Sequence, residues 1–309
     1  MELIKPNTNV PFMAYKKKFM GASAILALVS IAILATQGLN YGIDFKGGVE
    51  LQYRFEKPVS VADLRSAIST QNLGGAVVQE VGGSNPHEFI VAFGLDDAVQ
   101  GDHSSLVTDT LRQTFKDQTV ELRRVDSVGP RVGSDLKKAG ILSVLYIMLI
   151  MLGYIWFRFE LVFSPAAVVA LVYNVVITLG MLSLFRIEFS LTAIAAILTL
   201  VGYSINDTIV VFDRIRENVK QFGKIAFDHI IDRSLNETLS RTLLTGVTTF
   251  LVVLILAVFG GETLFPFAFT FAVGLVIGTY SSIYIASPIA FYLDAYFQRR
   301  REAQPRRTS

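Results

Sequence analysis

LTAIAAILTLVGYSINDTIVVFDRIREN, residues 191–218, holds two features that conflict. From Leu191 to Tyr203 it is almost wholly apolar, and Ile209 to Phe212 resumes the oily run. Residues 191–212 therefore have the length and hydropathy of a membrane span. Asn206 and Asp207 stand side by side within it. An aspartate at the centre of a membrane helix costs roughly 2.5–3.5 kcal/mol on insertion scales. A partner or a proton can offset that cost, and an ionisable residue at such depth is a functional candidate by default.

The rest of the chain agrees with a membrane setting. Of 309 residues, 52% are hydrophobic and only 17% charged, where soluble domains run near a quarter; mean hydropathy is +0.49. Apolar runs near residues 19–37, 139–157, 163–185, 191–212, 241–259 and 265–292 are long enough to cross about 30 Å of hydrocarbon. The expected fold is a polytopic α-helical membrane protein with six transmembrane helices. The first run follows YKKK and precedes a globular segment, which fits a retained signal anchor.

Composition also excludes several functions. A net charge of +2 gives no footprint for a nucleic-acid partner. With no cysteine there are no disulfides, thiolate metal sites or thiol nucleophiles. No phosphate-cradling GxxxxGK[ST] loop occurs. His87, His103 and His229 are scattered and form no metal-ligand spacing. We therefore expect no cofactor, no metal and no enzymatic activity.

Lysine and arginine in short loops set orientation. Lys16–Lys18, Arg158, the run Arg214, Arg216, Lys220 and Lys224, and Arg299–Arg301 fall on one side, the cytoplasm. Both termini are then cytoplasmic: residues 1–18 form the N-terminus and 293–309 a basic tail. Residues 38–138 lie outside, between helix 1 (19–37) and the five-helix region 139–292. Lys137 and Lys138 break the pattern, but they end a long translocated domain, where the rule is weak.

That outer segment alternates between strand and helix. In VELQYRFE, Val49, Leu51, Tyr53 and Phe55 share one face, the period of a half-buried strand. Ser60 and Asp63 suit a helix N-terminus. AVVQEV and EFIVAFG read as strands around the turn-rich GGSNPH, residues 102–116 as a helix, and VELRRVDSV as a closing strand. The order β-α-β-β-α-β predicts an α+β, ferredoxin-like periplasmic domain.

Asp207 shares a helix face with Ser204 above and Val211 below. Arg241 opens the fifth span at comparable depth and is the favoured partner. The pair is either a proton-binding carboxyl tuned by an arginine or a static brace between helices. Ser204, Asn206, Thr208, Thr238, Ser240, Thr242 and Thr245 form a polar path or, in the alternative, interhelical hydrogen bonds. In GIDFKGG, residues 42–48, Gly47 and Gly48 allow a sharp turn into the strand, and Asp44 with Lys46 suits a short-range pair. Gly274 and Gly278 permit close helix packing, and residues 214–233 suit an interfacial helix or a solvated connector.

GIDFKGG after the first span and VGYSINDTIVVFDRIREN in the fourth resemble the motifs of the SecF-type members of the SecD/SecF protein-export family. The resemblance covers nearly the whole chain. It implies a relative of the resistance-nodulation-division transporters, an accessory subunit of the bacterial Sec translocase in the inner membrane. Such a subunit pairs with SecD and uses the proton motive force to promote late, ATP-independent stages of preprotein export. It also implies that Asp207 and Arg241 take part in proton conduction. Gly42, Asp44, Gly47 and Gly48 correspond to the motif after helix 1. Implied partners are SecD, which would complete a twelve-span pseudo-symmetric unit, the SecYEG translocon, YidC, unfolded preprotein and membrane lipid. A half-size exporter of small hydrophobic molecules and a passive scaffold stay open as alternatives.

Overall fold

The structure, a computed structural model, describes residues 8–69, 76–80, 87–94, 103–158 and 163–303. A short turn of 3₁₀ helix, Phe12–Tyr15, leads into α1 (Lys16–Gln37). Then follow β1 (Asn40–Tyr41), α2 (Ile43–Lys46), β2 (Gly48–Phe55), α3 (Val61–Ser69), β3 (Val77–Glu80), β4 (Glu88–Phe93), α4 (His103–Thr114) and β5 (Val120–Val128). The chain re-enters the bundle as α5 (Pro130–Arg158), α6 (Phe163–Leu184), β6 (Glu188–Phe189), α7 (Leu191–Phe222), α8 (Phe227–Phe259), α9 (Gly261–Ser281), a π-helical turn (Ser282–Ala286) and α10 (Ser287–Ala303). Among the described residues, six helical runs are long and apolar enough to cross a membrane. The protein is a polytopic α-helical membrane protein with a separate mixed α/β unit between its first two spans.

The outer unit is built on β2. Its sheet runs β3-β4-β2-β5, and each neighbouring pair is antiparallel. The alternation in VELQYRFE buries Leu51, Tyr53 and Phe55 against Leu64 and Ile68 of α3 and Val107 and Leu111 of α4. Burying each such side chain is worth about 1.5–3 kcal/mol. The Tyr53 hydroxyl meets the Thr108 hydroxyl at 2.8 Å, so the sealed ring keeps a polar partner, and burial pushes its phenol up to about 12. A bulge between Gln52 and Tyr53 shifts the register against β5. Ser60 caps α3: its hydroxyl accepts the Asp63 N–H at 3.1 Å and donates to the Asp63 carboxylate at 2.7 Å. Residues 82–86 of the expected GGSNPH turn lie outside the described residues.

Small residues close the bundle, because apolar helices gain no hydrophobic drive from associating in lipid. A Cβ at Gly180 of α6 would come within 2.5 Å of Ser30 in α1. One at Gly140 of α5 would meet Ile194 of α7 at 2.3 Å, and one at Gly274 of α9 would meet Leu200 at 2.3 Å. α6 and α7 are the most buried spans, while α1, α5 and α8 are peripheral.

Several boundaries differ from the hydropathy reading, each for a physical reason. The second span begins at Pro130, inside the stretch assigned to the outer domain. Proline is favoured at a first helical position, and Arg131, Asp135, Lys137 and Lys138 hide the first turns from a hydropathy window. The stretch 213–240 is not a loop: α7 runs to Phe222 and α8 starts at Phe227. This helical extension is cross-braced by Arg214 of α7 to Glu237 of α8 at 3.5 Å, and Arg233 holds the same carboxylate from within α8 at 2.8 Å. Asn218 adds hydrogen bonds to Ser234 and Glu237. The presumed tail from 293 is helical through Ala303. The N-terminal segment docks at the same end, with the Val10 and Met13 N–H groups donating to Asn236 and Asp232.

At the opposite end the outer unit meets the bundle. GIDFKGG is more than a turn, for Ile43–Lys46 is a helical turn, and β1 pairs in parallel with β6 between spans three and four. Burial pushes the Glu50 carboxyl up to about 7; the Glu188, Asp126 and Asp44 carboxylates add to this, and Arg124 opposes it. A folded state that holds this proton more tightly than the unfolded chain is favoured at low pH. That stabilisation is complete below the ordinary carboxyl value of 4.5 and is lost as pH rises through about 7. The expected outcome is a thermal midpoint of the detergent-solubilised chain that falls between about pH 5 and pH 8. Circular-dichroism melts of Glu50→Gln should show most of that slope removed; an unchanged slope places the titration elsewhere.

Candidate functional site

The buried face of α7 carries Ser204, Asp207 and Thr208, spaced i, i+3, i+4 and each no more than 5% exposed. Asn174, fully buried on α6, donates from Nδ2 to Ser204 Oγ at 2.6 Å. The Thr208 and Ser282 hydroxyls meet at 2.9 Å. Ser282 opens the π-helical turn, and Ser287 donates back to its carbonyl at 2.8 Å. Gly278 keeps this region open: a Cβ there would lie 3.1 Å from Ser204 Oγ. The result is a polar track from α6 through α7 to the break between α9 and α10, walled by apolar side chains.

Asp207 sits on this track, and no hydrogen bond among the described residues reaches its Oδ2. A buried acceptor without a donor costs about 1–3 kcal/mol, and more when charged. A protonated acid avoids most of that cost. Arg241 on α8 lies within electrostatic reach of Asp207, yet no ion pair links the two among the described residues. Arg241 is exposed on the surface of α8. The favoured pairing is thus a separated pair rather than a bridge.

Asn206 leaves the path assigned to it. One position round the helix from Asp207 is about 100° of rotation, and Asn206 is exposed on the outside of α7. The hydroxyls of α8 mostly bond within their own helix: Thr238 donates to the Ser234 carbonyl at 2.9 Å, and Thr248 to Leu244 at 2.8 Å. Among the described residues no ion pair joins Asp44 to Lys46; the Asp44 Oδ2 accepts the Leu191 N–H at 2.8 Å. The sequence reading missed Asn174 and Ser282. A lone amide in ALVYNVVITLG was a legible signal by the rule that found Asp207. Ser282 carries no comparable signal, because small hydroxyl residues recur along the last span. No cluster of three or more metal-ligating side chains occurs among the described residues.

The family profile described as protein export membrane protein SecD/SecF, C-terminal, matches residues 107–296. The SecD/SecF GG motif matches residues 32–59. The chain belongs to the SecD/SecF family of protein export membrane proteins. It is 43% identical to the protein translocase subunit SecF of Calditerrivibrio nitroreducens, over 97% of this chain and 99% of that one. It is 46% identical to the SecF of Magnetococcus marinus, over 98% of each. Among solved structures it resembles SecDF of Thermus thermophilus, with TM-score 0.82 and 35% identity over 96% of this chain. The chain spans 40% of the length of that SecDF chain. Within the SecD/SecF family frame, the GG motif is the α2 junction and the C-terminal match takes in the whole polar track.

The contact between Thr208 and Ser282 is testable by a double-mutant cycle of Thr208→Val and Ser282→Ala. Interhelical hydrogen bonds in membranes couple by about 0.6 kcal/mol, up to about 1.7. Unfolding in mixed micelles should return a coupling in that range; a coupling near zero means the hydroxyls do not interact.

Proposed function

We propose that this chain is an accessory subunit of the bacterial Sec protein translocase that uses proton movement through Asp207 to promote preprotein export. The observation that carries the reading is the Asp207 carboxyl itself. It is buried, without a hydrogen-bond donor at Oδ2 among the described residues, and within electrostatic reach of an arginine on a neighbouring span. A static brace would hold Asp207 and Arg241 in contact. The separation favours a carboxyl that alternates between neutral acid and paired carboxylate. Ser204, Thr208, Asn174 and Ser282 line the route, while Asn206 serves another surface. Moving one charge through 100 mV is worth about 2.3 kcal/mol, enough to bias a balanced two-state equilibrium roughly fifty-fold.

The outer unit is, in this reading, a periplasmic ferredoxin-like domain. Its strand order and two helices on one face support that assignment. Both termini are cytoplasmic and the membrane is the bacterial inner membrane. The N-terminal segment, the basic α7–α8 extension and Arg158 gather at one end, which the positive-inside rule assigns to the cytoplasm. SecD is the partner. Exposed Asn206 and Arg241 are costly against hydrocarbon, which favours a second set of helices that covers them. The length of SecDF beyond the region matched here supports the same partner. SecYEG, YidC and unfolded preprotein complete the assembly.

The experiment is preprotein release outside vesicles that carry this chain with its SecD partner, with and without a proton gradient. Asp207→Asn keeps the shape and removes the titratable group. The assembled complex should lose its gradient-dependent release, by about tenfold or more. Arg241→Lys should be impaired, because lysine does not reproduce the guanidinium fork. The swap Asp207→Arg with Arg241→Asp should assemble but stay inactive; wild-type release from it would restore the static brace. A C-terminal reporter active only in the periplasm should be silent, and a strong signal would invert the topology.

A further inference from the structure

The GG motif also holds the fourth span. α7 starts after Ser190, whose backbone is extended as an N-cap residue should be, at φ −116° and ψ 178°. Its hydroxyl does not cap; it pairs with the Thr192 hydroxyl at 2.7 Å. The first N–H of α7, at Leu191, instead donates to Asp44 Oδ2 at 2.8 Å. The helix that carries Asp207 is thus capped from the other side of the outer domain in sequence. An acidic side chain at a helix N-terminus also meets the positive end of its dipole.

The short helix α2, which carries Asp44, is packed on several sides. Gly47 has φ 75°, and a Cβ there would lie 2.8 Å from Pro130 Cα at the start of α5. A Cβ at Gly133 of α5 would come within 3.3 Å of the Asp44 carbonyl and 3.2 Å of the Phe45 carbonyl. Phe45 is buried, with its ring 5.5 Å from Phe189 and 6.1 Å from Tyr41. The Gly42 N–H donates to the Phe189 carbonyl at 3.0 Å. A Cβ at Gly42 would fall 2.0 Å from Glu188 Oε1, so this glycine makes room for the segment that leads into α7. From Gly48 the chain passes directly into β2, a central strand of the outer sheet.

We propose that Asp44 is a positioning residue that ties the first turn of α7 to the junction launching the outer domain. Displacement of that domain is then passed along a rigid helix to Asp207, about 24 Å away at 1.5 Å per residue, and displacement at Asp207 is passed back. This role rests on the reading of Asp207 as the proton-handling group. The tie acts through geometry: an uncapped first turn frays, and a helix freed from α2 sets Asp207 differently against Arg241 and the track.

The test uses the full chain with its SecD partner in lipid nanodiscs and two readouts. Amide hydrogen exchange over residues 191–197 reports the cap. The infrared carboxyl band that disappears in Asp207→Asn reports the titration of Asp207. Asp44→Ala should speed exchange in that segment about fivefold or more and shift the Asp207 midpoint by about half a pH unit or more. Asp44→Asn, whose side-chain oxygen accepts the same N–H, should restore both towards wild type. Asp44→Ala combined with Ser190→Asp supplies a local cap without the tie. Exchange should then slow again while the midpoint stays shifted. If the local cap also restores the midpoint, Asp44 is a helix cap and nothing more, and the proposal falls. Unchanged exchange in Asp44→Ala overturns the cap itself. A wild-type Asp207 band that does not titrate sinks the proton reading and the positioning role with it, while the exchange arm still reports whether the cap exists.

Discussion

A carboxyl group inside a helix bundle surrounded by hydrocarbon has three tolerable conditions: protonated, paired or wet. Asp207 imposes that choice on everything around it. The polar face of α7 cannot point to lipid, so α7 becomes one of the most buried spans and α6 and α9 close over it. Close approach demands small residues at the crossings, which is where Gly274 and Gly278 of α9 sit against α7. The buried amide of Asn174 and the hydroxyls of Thr208 and Ser282 follow from the same constraint, since each supplies another polar group with a partner across helices.

The break in the last span belongs to this account. A π-helical turn interrupts the regular ladder of backbone bonds and occurs most often at functional positions. Here Ser282–Ala286 separates α9 from α10 where Thr208 of α7 arrives. The wider turn leaves Ser282 facing α7, and the Ser287 hydroxyl satisfies the Ser282 carbonyl at i−5.

The two ends of the bundle are fixed by different chemistry. At one end the projecting parts of α7 and α8 are held by surface ion pairs, each worth about 0.2–1 kcal/mol, reinforced by the buried Asn218–Ser234 bond. At the other, a compact aromatic and glycine junction joins the outer unit to the first turns of α5 and α7. The second end is close-packed: glycine backbone at Gly42, Gly47 and Gly133, the Tyr41, Phe45 and Phe189 rings and the Asp44 carboxylate all meet there. The outer unit and the helix bearing Asp207 therefore share a support.

Local pattern determined much of this protein. Six spans, the α+β segment between the first two, the faces of β2 and α3, and Asp207 as the residue out of place all follow from hydropathy, periodicity and insertion cost. These properties depend on a residue and its near neighbours, so one chain suffices to read them. The tertiary structure decided what depends on rotation and distance between elements. It turned Asn206 outward while Thr208 went inward, left Arg241 near Asp207 without a bridge, and brought Asn174 and Ser282 onto the track. It also carried Asp44 to Leu191, a contact across 147 residues of sequence. No local pattern encodes that contact, because a hydrogen bond between distant segments exists only once the packing of α2, α5 and α7 has set the angle and separation of its two atoms.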